Sequence, residues 1–471
     1  MENKAPVKNI AVIGSGVSGL GAIWALKHSN HRVCLYEANS RLGGHAHAVN
    51  FRNEQNGTSC LVDTAFMIIN DTTYPNFIAA LKDLQIDRIP APNSLSVSRD
   101  FGRFEWGSSS VFAQCSNLLR PSFWRMLFDI VRFNTFATDI LLAGQDRSME
   151  SIGEYLERER YSKQFRNNYL LPMTASVWTN DVDQCRRDFP VGTLVRFLWN
   201  HRMLNTFRDD LPWSMIKGSS SAYIDALLRC YPPDEIHMGK AVQSIGSDED
   251  QLWLQTAAGT AHFDNIILAT SATEALKILG DGITKEEREI LSSFQTISNV
   301  VVLHSDISFM PSRRSAWAAY NYMTLPSQKV GEYEERISVT CWMNCLQGLP
   351  IEKYGPIFVT INPIRKPEGE QGRWVYEHPR YTAECIKGQQ RLGIIQNKRR
   401  ITFAGAWTNF GFHEDGFTSG LQSAKHVEPN VPINFADSTL SRGQPSPLSL
   451  PDHLVRAVIR LIQFLIYIVG A

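Results

Sequence analysis

The sequence predicts an α/β fold that begins with a Rossmann-like nucleotide-binding unit, and three observations near the amino end predict it. Residues 10–13 form a short apolar run with the character of a buried parallel strand. A Gly-x-Gly-x-x-Gly motif follows at residues 14–19, and a helical apolar pattern continues from it through residue 26. A second apolar run, residues 32–36, ends in Glu37. Because the motif lies between a strand and a helix and an acid follows about 20 residues later, the pattern indicates a dinucleotide site.

The residues of this first motif have separate predicted roles. Gly14 permits the tight turn, Gly16 lets the backbone approach a pyrophosphate, and Gly19 lets the helix pack closely on the strand. Ser18 stands in the first turn of that helix, whose amino end faces the phosphates, and is counted with the residues that bind the cofactor. Glu37 would accept hydrogen bonds from ribose hydroxyls and repel a 2′-phosphate.

A second glycine pair follows shortly after the acid. Arg41 precedes Gly43 and Gly44, and His45 follows them. A nicotinamide-binding fold needs no further phosphate loop here, whereas long chains that bind FAD use one, because FAD lies extended across the domain. The pattern therefore favours FAD, with these four residues among those that bind it. His45 and His47 could also form a metal pair, but no third ligand follows at a suitable spacing, so no metal is predicted.

The composition is that of a folded globular protein, with 43% hydrophobic and 20% charged residues among 471. Lys plus Arg equals Asp plus Glu, at 47 each, so no electrostatic feature favours nucleic acid as a partner. The eight cysteines form no Cys-x-x-Cys pair, which suits free thiols in a reducing compartment. Because the sequence enters a strand almost at once, no signal peptide is expected, and the protein is predicted to lie on the cytoplasmic side.

Two signatures carry a resemblance to a known family. VIGSGVSGL (12–20) and YEANSRLGGHAH (36–47) resemble the corresponding segments of the flavin-containing amine oxidase superfamily. Within it, the sequence is most similar to a branch of predicted FAD/NAD(P)-binding oxidoreductases associated with cyclopropane fatty acid synthases. The similarity extends over roughly residues 8–427 and includes VDTAFMIINDTTYPNF (62–77), LHSDISFMPSRRSAWAAYNY (303–322), TCWMNCLQ (340–347) and FVTINP (358–363).

The resemblance implies the domain organisation. It implies a discontinuous Rossmann-like FAD-binding domain and an interleaved α+β substrate domain, to which the hydrophobic tail adds a C-terminal hydrophobic helix. In the FAD-binding domain, the backbone of Val242 would meet the adenine. The predicted boundaries are 1–90, 213–285 and 395–430 for the FAD-binding domain, 91–212 and 286–394 for the substrate domain, 431–452 for a linker and 453–471 for the hydrophobic helix.

A glycine-rich stretch near the carboxyl end, FAGAWTNFGFHEDGFTSGL (403–421), supplies further candidate residues. It matches the place where the superfamily runs its last FAD strand past the ribityl chain, which assigns Gly405 and Ala406 to the cofactor. A helix is predicted to begin at Gly416, also a cofactor-binding candidate, with Asp415 as its N-cap. The resemblance implies that the amino end of this helix points at the flavin ring, where the helix dipole would stabilise the reduced anion by about 0.3–2 kcal/mol.

Two titratable residues precede the predicted cap. Glu414 is expected to turn toward ribityl hydroxyls or a backbone N–H, since a carboxylate aimed at the reduced ring would oppose its stabilisation. His413 has a reference pKa near neutrality and would lie near the ring, where both proton transfer and plain hydrogen bonding stay open. His413 and Trp342 are the candidate catalytic residues.

Several side chains are candidates for contact with substrate. The superfamily's amine oxidases often hold the substrate amine between aromatic rings, and Trp342, Phe410 and Phe412 are the candidates for such walls. The lysine that those enzymes keep near the flavin is not located in this sequence. Ser271 and Cys341 depart from the His and Tyr common in the branch, and they would change the substrate if they face it.

The predicted function is that of an FAD-dependent oxidoreductase of the oxidase or desaturase type, acting on a lipophilic small molecule such as an acyl chain. The acyl preference is implied by the resemblance alone. No second Gly-x-Gly-x-x-Gly motif offers a nicotinamide site, so molecular oxygen or an external acceptor is expected to take the electrons. Three alternatives stay open: a flavin amine oxidase, a flavin-dependent isomerase without net redox change, and a non-catalytic flavin-binding partner of a lipid methyltransferase.

The sequence ends in a hydrophobic segment. Residues 461–471 contain one polar side chain, Gln463, and as a helix they would span about 16 Å, half of a bilayer core of about 30 Å. Extension back to Leu454 adds Arg456 and Arg460, each of which costs up to about 3 kcal/mol at mid-membrane. A helix that lies on the membrane surface is therefore the first expectation, with a short spanning tail and docking on the protein's own surface as alternatives.

Overall fold

The computed structural model describes residues 6–27, 29–143, 145–179, 182–204, 212–248, 251–325, 336–436 and 442–469. Residues 437–441 of the predicted linker and residues 470–471 of the predicted C-terminal helix lie outside these ranges, as do the first five residues of the predicted FAD-binding domain.

The strands of the described ranges are β1 (Asn9–Ile13), β2 (Arg32–Tyr36), β3 (Ala48–Arg52), β4 (Ser59–Asp63), β5 (Ile69–Asn70), β6 (Arg88–Pro90), β7 (Leu95–Arg99), β8 (Phe104–Gly107), β9 (Trp213–Ile216), β10 (Ile236–His237), β11 (Val242–Ser247), β12 (Leu252–Thr256), β13 (Gly259–Phe263), β14 (Asn265–Leu268), β15 (Gln295–His304), β16 (Tyr320–Leu325), β17 (Arg336–Trp342), β18 (Phe358–Ile361), β19 (Gly372–Arg380) and β20 (Ile401–Phe403). The α-helices are α1 (Val17–Leu26), α2 (Pro75–Asp83), α3 (Pro121–Phe136), α4 (Asp139–Leu142), α5 (Gln145–Ser148), α6 (Ile152–Arg158), α7 (Lys163–Phe165), α8 (Leu171–Trp178), α9 (Val182–Asp188), α10 (Val191–Asn200), α11 (Ser221–Leu228), α12 (Ala272–Leu279), α13 (Lys285–Leu291), α14 (Met343–Leu346), α15 (Ile351–Tyr354), α16 (Ala383–Arg391), α17 (His413–Val427) and α18 (Leu450–Val469).

A five-stranded parallel sheet, in the order β10-β2-β1-β14-β20, carries the amino-terminal motif. Its central strands β1 and β14 are buried almost throughout, as expected for a parallel sheet covered on both faces. The predicted α/β fold is confirmed, and the apolar runs at 10–13 and 32–36 are indeed neighbouring parallel strands joined by a helix. The strands come from three separated stretches of the chain, although the exact domain boundaries remain a prediction.

A second, seven-stranded sheet lies opposite the first, in the order β19-β15-β18-β17-β16-β7-β8. Most of its neighbouring strands are antiparallel, and β16 with β7 is its parallel pair. The helices between β8 and β9, from α3 to α10, pack around this sheet with a large aromatic and aliphatic core. The helices leave one face of the seven-stranded sheet uncovered, and this face can border a cavity.

The helices α1 and α17 cross with their backbones in direct contact. A Cβ atom at Gly420 would lie 2.1 Å from the carbonyl oxygen of Ser18, and one at Gly21 would lie 2.6 Å from that of Phe417. Both distances are far below any allowed contact, so only glycine fits at these positions. A Cβ at Gly416 would likewise meet Val17 at 2.5 Å, which places the first turns of the two helices side by side.

The helix α17 begins earlier than the sequence predicts. It starts at His413, so the predicted start at Gly416 with Asp415 as N-cap is wrong. The carboxylate of Asp415 accepts a hydrogen bond from the backbone N–H of Phe412 at 2.8 Å. Because Asp415 reaches back to the residue before the helix, it occupies the third helical position instead of the cap.

The C-terminal helix α18 packs on α3 and α4 along a narrow line. Arg456 makes a bidentate ion pair with Asp139, at 2.9 and 2.8 Å, and its guanidinium group lies over the ring of Phe136. Ile459 is buried beside it, whereas most large apolar side chains of the helix are exposed. None of the helices in the described ranges combines the length and the apolar content needed to cross a bilayer.

The contact between α1 and α17 gives a prediction about stability. Gly420→Ala should lower the free energy of unfolding by about 1–3 kcal/mol or more, because the added methyl group meets the backbone of Ser18 and no flexible side chain can yield. Gly393→Ala, where a Cβ would meet nothing within 4 Å, is the matched control and should leave the unfolding midpoint unchanged. Thermal and urea unfolding measure both variants, and equal midpoints would contradict the proposed constraint.

Candidate functional site

A cavity of about 770 Å³ lies between the two sheets. Its lining on the side of the parallel sheet comes from the first glycine loop, the second glycine pair, the start of β11, the loop after β14 and the turn before α17. The predicted site residues that line it are Gly14, Gly16, Ser18, Glu37, Gly43, Gly44, His45, Val242, Gly405, Ala406 and His413. The structure thus brings together residues from three separated parts of the chain.

The first glycine loop fits a ligand that approaches the backbone. Gly14 has φ +101°, and a Cβ there would lie 2.5 Å from the carbonyl oxygen of Ala269. A Cβ at Gly19 would lie 1.9 Å from the carbonyl oxygen of Gly14, so these two glycines serve the fold itself. At Gly16, by contrast, a Cβ would meet no protein atom within 4 Å, although the residue lines the cavity. The open space at Gly16 fits a pyrophosphate group.

Glu37 is held in place by the loops around it. One carboxylate oxygen accepts hydrogen bonds from the backbone N–H of Ser15 at 2.9 Å and from its hydroxyl at 2.6 Å. The other accepts two hydrogen bonds from Asn39, at 2.8 and 2.9 Å. These four hydrogen bonds use the roughly four acceptor sites of a carboxylate, so ribose hydroxyls would bind Glu37 by displacing one of these donors.

Arg41 supplies a buried cation behind the second glycine pair. Its Nη1 atom is buried and has no hydrogen-bond partner within the described part of the chain. Arg41 is not among the described residues that line the cavity, so its charge would act on a bound anion from behind the loop. The glycine loop at a helix amino end supplies the N–H donors that fit the diphosphate of a dinucleotide.

The two carboxylates at the start of α17 turn away from the cavity. Glu414 accepts hydrogen bonds from the backbone N–H groups of Asn76 and Phe77, both at 2.9 Å, and thereby caps α2. Asp415 accepts a second hydrogen bond, from the side-chain amide of Asn409 at 2.8 Å. Burial raises the pKa of each carboxyl group to about 7. Of the two predicted partners of Glu414, the structure contains the backbone N–H, and neither carboxylate lines the cavity.

His413 lines the cavity and is fixed by its surroundings. Its Nε2 atom is 3.0 Å from the hydroxyl group of Tyr223, and its ring stacks on that of Phe66 with centroids 3.8 Å apart. Burial, and to a smaller extent the neighbouring His45, lowers its pKa to about 3. The imidazole is therefore uncharged at neutral pH, which favours hydrogen bonding over proton donation among the two roles expected for it.

Trp342 does not join the cavity, which removes the physical basis for its predicted catalytic role. It follows Cys341 on β17, and consecutive side chains of a strand point to opposite faces. Cys341 lines the cavity, whereas Trp342 packs edge-on against Trp317 at 5.3 Å and lies under the guanidinium group of Arg314. Of the neighbouring candidates Cys341 and Trp342, the structure brings Cys341 to the cavity.

The other substrate-side predictions divide in the same way. Phe412 and Ser271 line the cavity, whereas Phe410 is not among the residues that line it. The sequence did not predict several aromatic residues that border the cavity, because their segments have the apolar pattern of ordinary core helices and strands. They include Phe66, Trp178, Phe197, Trp213, Tyr320 and Tyr381, together with His201 and His378.

Comparison with known proteins places these features in a wider group. The model of the family described as flavin containing amine oxidoreductase matches residues 17–428. A putrescine oxidase variant superposes with a TM-score of 0.63 at 12% identity, covering 90% of this chain and 99% of its own. Cyclohexylamine oxidase from Brevibacterium oxydans gives 0.63 at 13% identity, with 91% and 100% covered. A fatty acid isomerase from P. acnes gives 0.62 at 13% identity, with 88% and 97% covered. At these identities the structural matches establish the shared fold.

The open space at Gly16 allows a test that separates folding from cofactor binding. Gly16→Val should fold with an unchanged unfolding midpoint, because nothing lies within 4 Å of the new Cβ, yet it should bind FAD at least about tenfold more weakly. Absorbance near 450 nm relative to protein absorbance measures flavin content. Gly393→Val adds the same side chain at another open position and should keep full flavin content. A yellow Gly16→Val protein would contradict the assignment of this loop.

Proposed function

Because the chain belongs to the family of flavin-containing amine oxidoreductases and is an FAD-dependent oxidoreductase, we propose that it oxidises a neutral, lipophilic substrate such as an acyl chain. The observation that carries this proposal is the chemical character of the substrate-side wall of the cavity. The wall is mainly apolar, its histidines are uncharged, and each carboxylate among its described residues already accepts a hydrogen bond or pairs with a cation.

The cofactor-side residues would hold FAD along the two glycine loops, with α1 and α17 presenting their amino ends to it. When bound, FAD accepts a hydride from a substrate carbon and passes the electrons to molecular oxygen or to an external acceptor. The protein contributes orientation, exclusion of water and, through the amino end of α17, partial positive charge. We propose these roles for the individual site residues as part of the same function.

The substrate-side wall is largely hydrocarbon. Much of it comes from the seven-stranded sheet, whose inward-facing side chains alternate with outward-facing ones along each strand. Helix α8 closes the wall with further apolar side chains. The aliphatic residues are Leu95, Met173, Val177, Val301, Val339 and Ile361. Burial of an apolar ligand on such a surface is favourable by about 25 cal/mol for each Å².

The carboxylates that border the cavity are engaged elsewhere. Among the described lining residues they are Glu37, Glu274 and Glu377. Glu37 accepts four hydrogen bonds from the loops, Glu274 pairs with Lys277, and Glu377 accepts a hydrogen bond from a serine hydroxyl. A substrate ammonium group would therefore have to compete with these partners for a counter-ion, which disfavours a charged amine.

Three of the aromatic residues that border the cavity are packed against one another. Phe412 stacks on Phe197 with centroids 4.9 Å apart, and Trp178 contacts both rings, at 5.9 and 4.7 Å. An aromatic cage needs two rings with room for a ligand between them. Because these rings already contact one another, they support an apolar substrate better than the amine oxidase alternative.

The substrate class can be tested by anaerobic reduction of the bound flavin. Methyl oleate and oleylamine share the same chain and differ in their head groups, so they form a matched pair. The ester should bleach the flavin absorbance, whereas the amine should leave at least about 90% of it, because its ammonium group finds no free carboxylate. Bleaching by the amine alone would replace this proposal with an amine oxidase. Binding of the ester with a product of equal mass and no net redox change would indicate an isomerase.

The C-terminal helix supports a second, finer proposal, that the protein contacts a membrane surface. Arg456 and Ile459 are the residues of α18 that are buried against the fold. The last charged side chain of α18 is Arg460, and from Leu461 onward its described side chains are apolar apart from Gln463 and Tyr467. The exposed apolar arc is wider than the seam that one partner helix would cover, which favours lipid as its occupant.

Vesicle sedimentation tests this proposal. Leu461 and Leu465 are 58% and 51% exposed, and replacing both with glutamate should reduce binding to phosphatidylcholine–phosphatidylglycerol vesicles at least about tenfold. Ile307→Glu with Val375→Glu adds the same charges at positions 54% and 62% exposed elsewhere, and this control should bind like the wild type. Equal vesicle binding by all three proteins would contradict the proposed membrane contact. A wild type that forms dimers and does not bind vesicles would contradict it as well.

A further inference from the structure

His378 borders the cavity at the edge of the seven-stranded sheet, in β19. Its ring lies next to that of His45, with centroids 5.3 Å apart, so one imidazole comes from the substrate-side sheet and the other from the second glycine loop. Both side chains border the open cavity, where His45 is exposed and His378 is half-buried. The pair therefore stands where the two halves of the cavity meet.

A chain of three hydrogen bonds fixes the proton on His378. The backbone N–H of Val300 can only donate, and it donates to Oδ1 of Asn362 at 2.9 Å. The amide nitrogen of Asn362 must then donate to Oδ1 of Asn299, at 2.7 Å, and the amide nitrogen of Asn299 to Nδ1 of His378, at 2.9 Å. Since Asn299 also donates toward the carbonyl oxygen of Ile297, its orientation is doubly determined.

The consequence of this chain is a hydrogen-bond donor that faces the cavity. Because Nδ1 of His378 accepts, the single proton of the neutral ring is on Nε2. Burial, with a smaller contribution from His45, lowers the pKa of His378 to about 3, so the ring stays neutral. Within the described residues, Nε2–H has no hydrogen-bond partner. An N–H that faces the cavity without an acceptor from the protein is available to an acceptor on a ligand.

His45 offers the complementary group. Burial lowers its pKa, so the ring is also neutral and one of its two nitrogens carries no proton. That nitrogen is a hydrogen-bond acceptor. A donor on His378 and an acceptor on His45, side by side on the cavity wall, match a hydroxyl group, which accepts one hydrogen bond and donates another.

We propose that His378 is a positioning residue that donates a hydrogen bond through Nε2–H to a hydroxyl oxygen of the substrate, with His45 as the acceptor of the hydroxyl proton. This inference rests on the proposed function and narrows it, because it assigns a neutral oxygen group to the lipophilic substrate. The alternative acceptor for the same N–H is an oxygen of the flavin, and the experiment separates the two.

The test measures binding, so it does not depend on turnover. The holoenzyme is titrated without oxygen with 1-octanol, 1-methoxyoctane and octane, which share a chain length, and the perturbation of the flavin spectrum gives each Kd. The wild type should bind 1-octanol about tenfold more tightly than octane, with the ether between them. His378→Phe should remove that preference and leave the Kd of octane unchanged. His378→Gln, whose amide places an N–H near the same position, should restore most of it.

Three outcomes would overturn the inference. The first is equal binding of the three ligands, or of none of them, by the wild type. The second is a His378→Phe protein that weakens octanol and octane equally, as a purely structural role would. The third is a shifted flavin spectrum or reduction potential in unliganded His378→Phe, which would assign the N–H to the flavin. If His378→Phe does not fold, His378→Leu removes the same donor with a smaller side chain. If the inference about His378 is wrong, the anaerobic reduction by methyl oleate still tests the proposed function independently.

Discussion

Two helices from opposite ends of the chain, α1 and α17, cross with no side chain between their backbones. The contact depends on Gly21 and Gly420, where even a methyl group would overlap a carbonyl oxygen of the other helix. Because the helices cannot separate or slide without losing this fit, their first turns stay beside each other at one end of the cavity. The glycine loop before α1 and the turn before α17 are thereby held together, although nearly 400 residues separate them.

The same constraint explains the His-Glu-Asp triplet at the start of α17. Glu414 caps α2 and Asp415 ties back the turn before the helix, so each carboxylate fastens one neighbouring segment to the helix terminus. Both are buried and accept backbone N–H groups, which compensates their desolvation in part. His413 is the member of the triplet that reaches the cavity. The three adjacent titratable side chains thus reach three different neighbours, the cavity, α2 and the turn before α17, since successive residues of a helix point about 100° apart.

The parts of the site that could be predicted from the sequence are those fixed by local geometry. Gly14, Gly16 and Glu37 lie within one strand-turn-helix-strand unit, so their spacing alone determines their placement. The position of Trp342 could not be predicted, because the sequence does not show which face of β17 meets the cavity and one residue of phase reverses every side chain. His378 and the aromatic wall could not be predicted, since only tertiary packing converts ordinary apolar patterns into a cavity lining.

The electrostatics of the cavity follow from what is buried around it. Burial lowers the pKa of His45, His201, His378 and His413, so the imidazoles add no charge near neutral pH. The favourable field for an anionic cofactor then comes from Arg41 and from two helix amino ends, and no nearby carboxylate without partners cancels it. The same field would repel a ligand that carries a positive charge. The same charge distribution therefore holds a negatively charged dinucleotide and admits a neutral substrate.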